Sequence, residues 1–289
     1  KHIKEKLQKR NNILKALTGS SWGKEKEIIT DTYKALGQSV LNYGCQIWSP
    51  NLKDSNWKQL QTQQNVALRI ATGCVQMTPI HHLHSETKIL PVKEHCNMLS
   101  KQFLLTKHLP EHPNHRNLPP DTPLDRIMKK TLETNFGHEI RQMIPANGLN
   151  SDNLKSKINE IHTSTVRNTL RDRPFNGVLH ARPPEIDKSE STLPRKTRTT
   201  LAQLRSGYSP FLNSYMSRIN EETTDTCPQC GNGPHDTNHV FSCPDKPTSL
   251  TPESLWNSPR EVAAFLGLEI ELNSEDENNE QNNGDGRLQ

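Results

Sequence analysis

Cys227-Pro-Gln-Cys230 is followed eight residues later by His239, and three residues after that by Cys243. The resulting C-x2-C-x8-H-x3-C pattern forces a short stretch of chain to converge on one point. Three thiols and an imidazole complete a tetrahedral ligand set for zinc (Zn2+), and a C-x2-C turn is the usual way such a site is built. With all four positions filled by protein, the spacing implies one structural ion rather than a hydrolytic one. His235 is a rival ligand. His239 is preferred because its distance from Cys243 places both on one helix face. A region the size of 193–268 stabilises itself poorly by burial alone. A structural zinc contributes on the order of 10–16 kcal/mol of apparent binding energy, so the ion is expected to hold that region together.

The rest of the composition sets the class. Hydrophobic residues make up only 31% of the 289, while prolines number 20 and charged residues reach 24%. Such a balance suits a mainly α protein of helical islands joined by irregular connections rather than one large core. No apolar run approaches the ~18 residues of a membrane span, and the N-terminus has no signal-peptide segment, so no membrane partner is expected. Lys1 stands in place of a start methionine, which reads as a piece of a longer product. Cys45, Cys74 and Cys96 have no paired spacing. Reduced thiols in an intracellular protein, nuclear or cytoplasmic, are the plain reading.

The net charge of +4 conceals an asymmetry. Residues 269–289 hold seven acids against Arg287, or −6; taking that from +4 leaves +10 for residues 1–268. A basic body with an acidic tail suits a polyanion binder, although it also serves solubility.

Four segments follow. Residues 1–109 read as a helical, thumb-like region. Ile3, Leu7, Ile13, Leu14 and Leu17 share one face; a second helix carries Trp57, Leu60, Ala67, Leu68 and Ile70 to a stop near Gly73; a third, from Val92 to Leu109, buries Met98, Leu99, Phe103 and Leu104. Residues 110–192 form a Pro-rich and helical connector, with helices expected at Leu124–Thr134 and Leu154–Leu170. Residues 193–268 combine a basic stretch, the Cys/His motif and a cap helix. Ser258-Pro259-Arg260-Glu261 predicts that helix's capping box, and Gly267 its stop. Residues 269–289 are expected to be disordered.

The stretch 193–218 carries Arg195, Lys196, Arg198, Arg205 and Arg218 with no acid between them, interleaved with Tyr208, Phe211 and Tyr215. Arginines meet phosphates and aromatic rings stack on bases, so RNA or DNA is the expected partner. The alternative leaves the aromatics as core and the arginines as a solvated face. The Cys/His loop itself supplies no Lys or Arg, and one aromatic, Phe241. The N-terminal run Lys1, Lys4, Lys6, Lys9, Arg10 and Lys15 is similarly open between a backbone grip and a simple cover for a core edge. His81, His82 and His84 read as polar surface, and Cys45 as a small core thiol. Asp-Asp occurs nowhere, the remaining carboxylates are scattered, and no P-loop or G-x-S-x-G is present. No active site is expected.

"LNYGCQIWSP", "LQTQQNVALRIATGC" and "TPIHHLHSETKILPV" resemble the region after the polymerase palm in reverse transcriptases of non-LTR retrotransposons, particularly the Jockey-like group. "LPRKTRTTLAQLRSGYSPFLNSYMSRI" with "CPQCGNGPHDTNHVFSCP" is similar to the C-terminal CCHC module of the same proteins. The resemblance covers about 1–109 and 193–268. It implies a helical thumb that closes over a primer–template duplex, and a zinc knuckle that helps bind element RNA or target DNA; RNA or single-stranded DNA near the zinc module is the contact expected here. Cys227, Cys230, His239 and Cys243 are the implied metal ligands; Arg195, Lys196, Arg198 and Arg205 match the basic part of the pattern. The palm with its catalytic Asp pair and the endonuclease are missing, so the chain is expected to be non-catalytic while the rest of the polymerase is a partner. One rival expectation keeps the zinc but not the nucleic acid: a stapled module that only docks on the polymerase body.

Overall fold

A computed structural model describes residues 2–109, 111–112, 135–146 and 148–270, with single positions at 126, 129 and 133. Helices make up 61% of the described residues, and no strand forms among them. Most of the expected helix at Leu124–Thr134 and nearly all of the acidic tail lie outside the described residues. The chain divides into two compact units that are interleaved in sequence.

The first unit comprises Lys1–Leu14, Asp31–Ala67 and Lys88–Arg173. Its helices form where the apolar spacing predicts them. His2–Leu17 buries Leu7, Asn11 and Leu14, one turn apart on a single face, leaves Ile13 and Leu17 of the expected face exposed, and turns Lys6, Lys9 and Arg10 outward. Asn11 reaches across to the Gln63 carbonyl (2.9 Å). Leu7, Leu41, Cys45, Trp57, Leu60, Val92 and Cys96 make one apolar cluster, so Cys45 is the core thiol expected of it. Met98, Leu104, Leu105, Leu109, Ile140, Leu149 and Ile161 make another. Ile161 belongs to the helix Ser151–Arg171, which a reciprocal box between Asn150 and Asn153 caps. Val92–Thr106 supplies residues to both clusters and is the spine of this unit.

The second unit comprises Lys15–Thr30, Leu68–Thr87 and Pro174–Gln289. Two pieces of the expected N-terminal region therefore belong with the C-terminal one. Its core is Leu193, Leu201, Leu204, Leu212, Tyr215, Val240, Phe241, Leu255, Trp256, Val262, Ala263 and Leu266. The helix Arg195–Ser206 runs through it with only Lys196 exposed and Thr200 half-covered. Pro194 precedes it, and Gly207 ends it in the left-handed conformation (φ 74°), which only glycine adopts freely. In the cap helix Pro259–Leu266, Ser258 stands at the N-cap but makes no side-chain bond there, so the expected capping box does not close; Pro259 and the left-handed Gly267 set the ends instead.

Candidate metal centre and the buried arginine helix

The Cys/His loop is shaped by its own backbone. Isolated pairing of Thr226 with Pro234 closes it. Inside, the Cys227 N–H donates to the Gly233 carbonyl (3.1 Å) and the Gly231 N–H to that of Cys227 (2.9 Å). Gly231 and Gly233 both take positive φ, 67° and 66°, a turn that a Cβ would strain. Asp236 then caps the helix Thr237–Ser242 by accepting from the His239 N–H (2.8 Å). Cys243 is the first residue past that helix, in extended conformation (φ −65°, ψ 123°). The expected shared helix face therefore ends one residue early, and the chain's exit turns the sulfur inward.

The ligand atoms of Cys227, Cys230, His239 and Cys243 lie within 4.8 Å of one another. Cys227 Sγ is 3.8 Å from Cys243 Sγ, and Cys230 Sγ is 3.3 Å from His239 Nε2. The four form a group able to hold a metal ion, and three thiols with an imidazole favour a soft or borderline one. Burial raises the Cys227 thiol, but N–H groups of Cys230 and Gln229 aimed at the sulfur outweigh it and bring it down to about 7. His235, the rival, stands apart: its Nδ1 accepts the Asn213 N–H (3.2 Å), which ties the loop to the neighbouring turn.

The basic stretch takes a different role from the one expected of it. Arg195, Arg198 and Arg205 are buried. Arg205 is fully enclosed and every one of its N–H donors has a partner. Nε and Nη2 reach Glu86 (2.8 and 3.1 Å); Nη1 and Nη2 reach Glu190 (2.5 and 3.1 Å); Nη1 also reaches the Leu255 carbonyl (2.9 Å). Lys26 completes the cluster, 3.2 Å from each of Glu86 and Glu190. Arg198 pairs with Glu25 and Glu27, both at 2.6 Å. Arg195 donates to the Ala71 (2.6 Å) and Ile70 (2.9 Å) carbonyls. These three side chains are spent inside the protein and cannot meet a phosphate. Desolvating a guanidinium is tolerable only with this degree of pairing.

Of the remaining basic and aromatic candidates, Lys196 is exposed and 3.6 Å from Glu269. Arg218 is exposed and lies over the Tyr208 ring, 5.7 Å from its centroid. Tyr208 also meets the edge of Tyr215 at 6.3 Å. Tyr215 and Phe241 are core residues. Phe211, the third ring expected to stack on bases, stays 36% exposed with its centroid 6.0 Å from that of His235. His82 and His84 are buried, not surface; His82 Nε2 bonds the Ala202 carbonyl (2.9 Å), and burial pushes its pKa down.

Sequence reasoning missed Glu25, Glu27, Glu86 and Glu190, the acids that hold this helix. The available signal was Glu86, one acid within the otherwise uncharged run Ile80–Thr87. No family model, no curated protein and no solved structure matches this chain.

Charge divides sharply between the units. The first holds 22 Lys and Arg against 12 Asp and Glu, a surplus of ten; the second, taken to residue 268, holds 13 against 13. The whole basic surplus of the body thus belongs to the unit without the metal group.

Proposed function

We propose that this chain is a non-catalytic, nucleic-acid-binding portion of a non-LTR retroelement reverse transcriptase, in which the two units divide the work. The basic helical unit engages a phosphate backbone. The neutral unit is a zinc-stapled scaffold that packs and docks. The observation carrying this reading is the partition of charge: ten surplus positive charges on one unit, none on the other. Such a surplus acts on a polyanion through counterion release, a term needing no base recognition. Lys6, Lys9 and Arg10 lie together on the outward side of one of its helices, His2–Leu17.

Zinc is the ion that best fits the metal group. Bonds of about 2.3 Å to sulfur and 2.0 Å to nitrogen set tetrahedral edges of roughly 3.8 Å between sulfurs and roughly 3.5 Å between sulfur and nitrogen, and the observed 3.8 and 3.3 Å approach these. Cys227, Cys230, His239 and Cys243 would hold it, and a bound zinc supplies structural cross-linking there.

A salt titration of binding tests the proposal. Reversing Lys6, Lys9 and Arg10 together to Glu should reduce the slope of log K against log[salt] on duplex by about 2.7, at 0.9 for each contact. Reversing the exposed Lys196 and Arg218 should leave it unchanged. Equal effects from both sets would refute the division of work between the units, and no binding by the unmodified chain at low salt would favour docking without nucleic acid. That second reading keeps its own support in the neutrality of the metal unit and the burial of its arginines.

A further inference from the structure

Cys45 and Cys96 are the two cysteines of the first unit, and the proposed function uses neither. Both are free thiols, wholly buried in one apolar cluster. They sit on separate elements. Cys45 opens the short helix Cys45–Trp48, which Ser49–Asn51 continues as a tighter turn, and Cys96 lies in Val92–Thr106. Two polar contacts bracket the pair. His95 Nε2 is 2.8 Å from Asn42 Oδ1, and Ser49 Oγ is 3.0 Å from Ser100 Oγ. Chain order is the same in both contacts, so the two segments run parallel. Cys45 precedes Ser49 by four residues, as Cys96 precedes Ser100, about one helical turn each. This register sets the two thiols opposite each other, and each is the other's hydrogen-bond partner.

The pair is chemically unequal. Cys96 donates to the Cys45 sulfur, and the N–H groups of Gln46 and Cys45 point at the same atom. These outweigh burial and hold the Cys45 thiol below its ordinary value. The same bond and burial push the Cys96 thiol well above its own. Cys45 is thus the readier thiolate, with a second thiol in place to resolve what forms on it. Packing alone asks for no such alignment, because a buried cysteine fills space as a small hydrophobe.

We propose that Cys45 and Cys96 form a reversible dithiol–disulfide pair whose oxidant is a small peroxide. The Cys45 thiolate attacks one oxygen of hydrogen peroxide and the O–O bond breaks. Hydroxide leaves, takes up a proton as water, and Cys45 becomes a sulfenic acid. Cys96, deprotonated, then attacks that sulfur. The S–S bond forms as the S–O bond breaks, and the departing hydroxide is protonated to a second water. Two thiols are oxidised and one peroxide is reduced to two waters. Access comes by opening of a short element: Asn42 and Tyr43, just before Cys45, are exposed, Tyr43 by 87%, and the helix they lead into has four residues. The new bond ties 45–51 covalently to Val92–Thr106, so the stability of the basic unit follows the redox poise, and a thiol reductant restores the dithiol.

The test treats the full zinc-loaded chain with hydrogen peroxide in slight excess, blocks remaining thiols with iodoacetamide and maps the peptides. A cross-link between the peptides holding Cys45 and Cys96 is expected, in preference to any pairing with Cys74, and dithiothreitol should reverse it. On chain-entropy grounds a link between positions 45 and 96 should lower the urea-unfolding constant of the first unit by about a thousand-fold. Cys96→Ser should leave an unresolved sulfenic acid on Cys45 that dimedone captures, whereas Cys45→Ser should leave Cys96 unlabelled. Over-oxidation of Cys45 without the link, or a link that forms only in urea, would overturn the proposal. So would Cys45 and Cys96 still reduced after the thiols of the metal group have been oxidised. A link that leaves the unfolding constant unchanged would remove the coupling to stability. None of these outcomes bears on nucleic-acid binding.

Discussion

Replacing Arg205 with Met is the sharpest perturbation this structure offers. The guanidinium fills the space between Glu86 and Glu190 and donates five hydrogen bonds, its full donor complement. Without it two buried carboxylates share one cation, Lys26. One negative charge is left uncompensated in the interior, a situation that costs about 3–5 kcal/mol. The sign of the pH dependence follows from Glu86. Burial raises its pKa, but Arg205 and Lys26 outweigh that and hold it well below the usual carboxylate range. In the native protein this stabilisation is present above the unfolded value of about 4.3 and is lost as pH falls below it. The variant lacks much of it, and its surplus carboxylate is relieved by protonation, so the difference between the two proteins should be largest near neutrality and shrink towards pH 4. Urea unfolding followed by Trp256 emission reads the right place, because the Arg205 guanidinium carbon lies 5.9 Å from that ring. Removing Glu190 as well, in Arg205→Met/Glu190→Leu, leaves Lys26 facing Glu86 alone and should recover a large part of the loss. A single-variant cost below about 1 kcal/mol, or a cost independent of pH, would refute the view that this cluster holds the helix in place.

Four further outcomes are expected. Purified protein should carry one zinc by elemental analysis, and Cys230→Ser should lower its retention after dialysis against chelator. Gly73→Ala should cost upwards of ~1 kcal/mol by thermal melting, because its φ of 69° is left-handed and a Cβ would sit 2.5 Å from Thr199 Oγ1. Cys74, pushed up to about 12 by burial and the nearby Glu86 carboxylate, should resist iodoacetamide at pH 8 until urea opens the second unit. The first unit should lose stability as pH falls from about 6.5 towards 4, since burial with His162 nearby lowers the His95 pKa to about 4 while the unfolded chain takes up that proton near 6.5; His95→Gln should flatten this dependence.

How much was legible in the sequence depends on how far each interaction reaches. The four residues of the candidate metal group lie close together in sequence and are aimed by local turns, so spacing alone picked out all of them. Helices such as Asp54–Thr72 and Val92–Thr106 were legible because their apolar faces repeat along one segment. The fate of the arginines was not. Arg198 finds Glu27 across 171 positions, and Arg205 finds Glu86 across 119; no periodicity within 193–218 encodes a partner so distant. A stripe of cations free of local acids looks the same whether it faces phosphate or enters a core lined by remote carboxylates. The same long-range pairings bring 15–30 and 68–87 into the second unit, which is why a division read along the chain missed the interleaving.

That interleaving changes what metal removal should do. An isolated 193–268 region would depend on its ion, and loss of zinc was expected to unfold all of it. The unit that contains it draws on two additional segments, a core of a dozen buried apolar residues and the charge cluster around Arg205. The metal group touches this interior through few links: Val240 and Phe241 in the core, Thr237 Oγ1 to the Leu204 carbonyl (3.0 Å), and His235 to Asn213. Chelation should therefore melt the loop 225–243 and the short helix Thr237–Ser242 while Arg195–Ser206 keeps its protection. Hydrogen exchange of the chelated full chain separates the two cases, since local opening and global unfolding expose different amides. Amides of 225–243 should exchange rapidly and those of Leu201–Arg205 stay slow. Simultaneous loss of protection at both places would mean that the ion, rather than the buried arginines and their distant acids, holds the unit together.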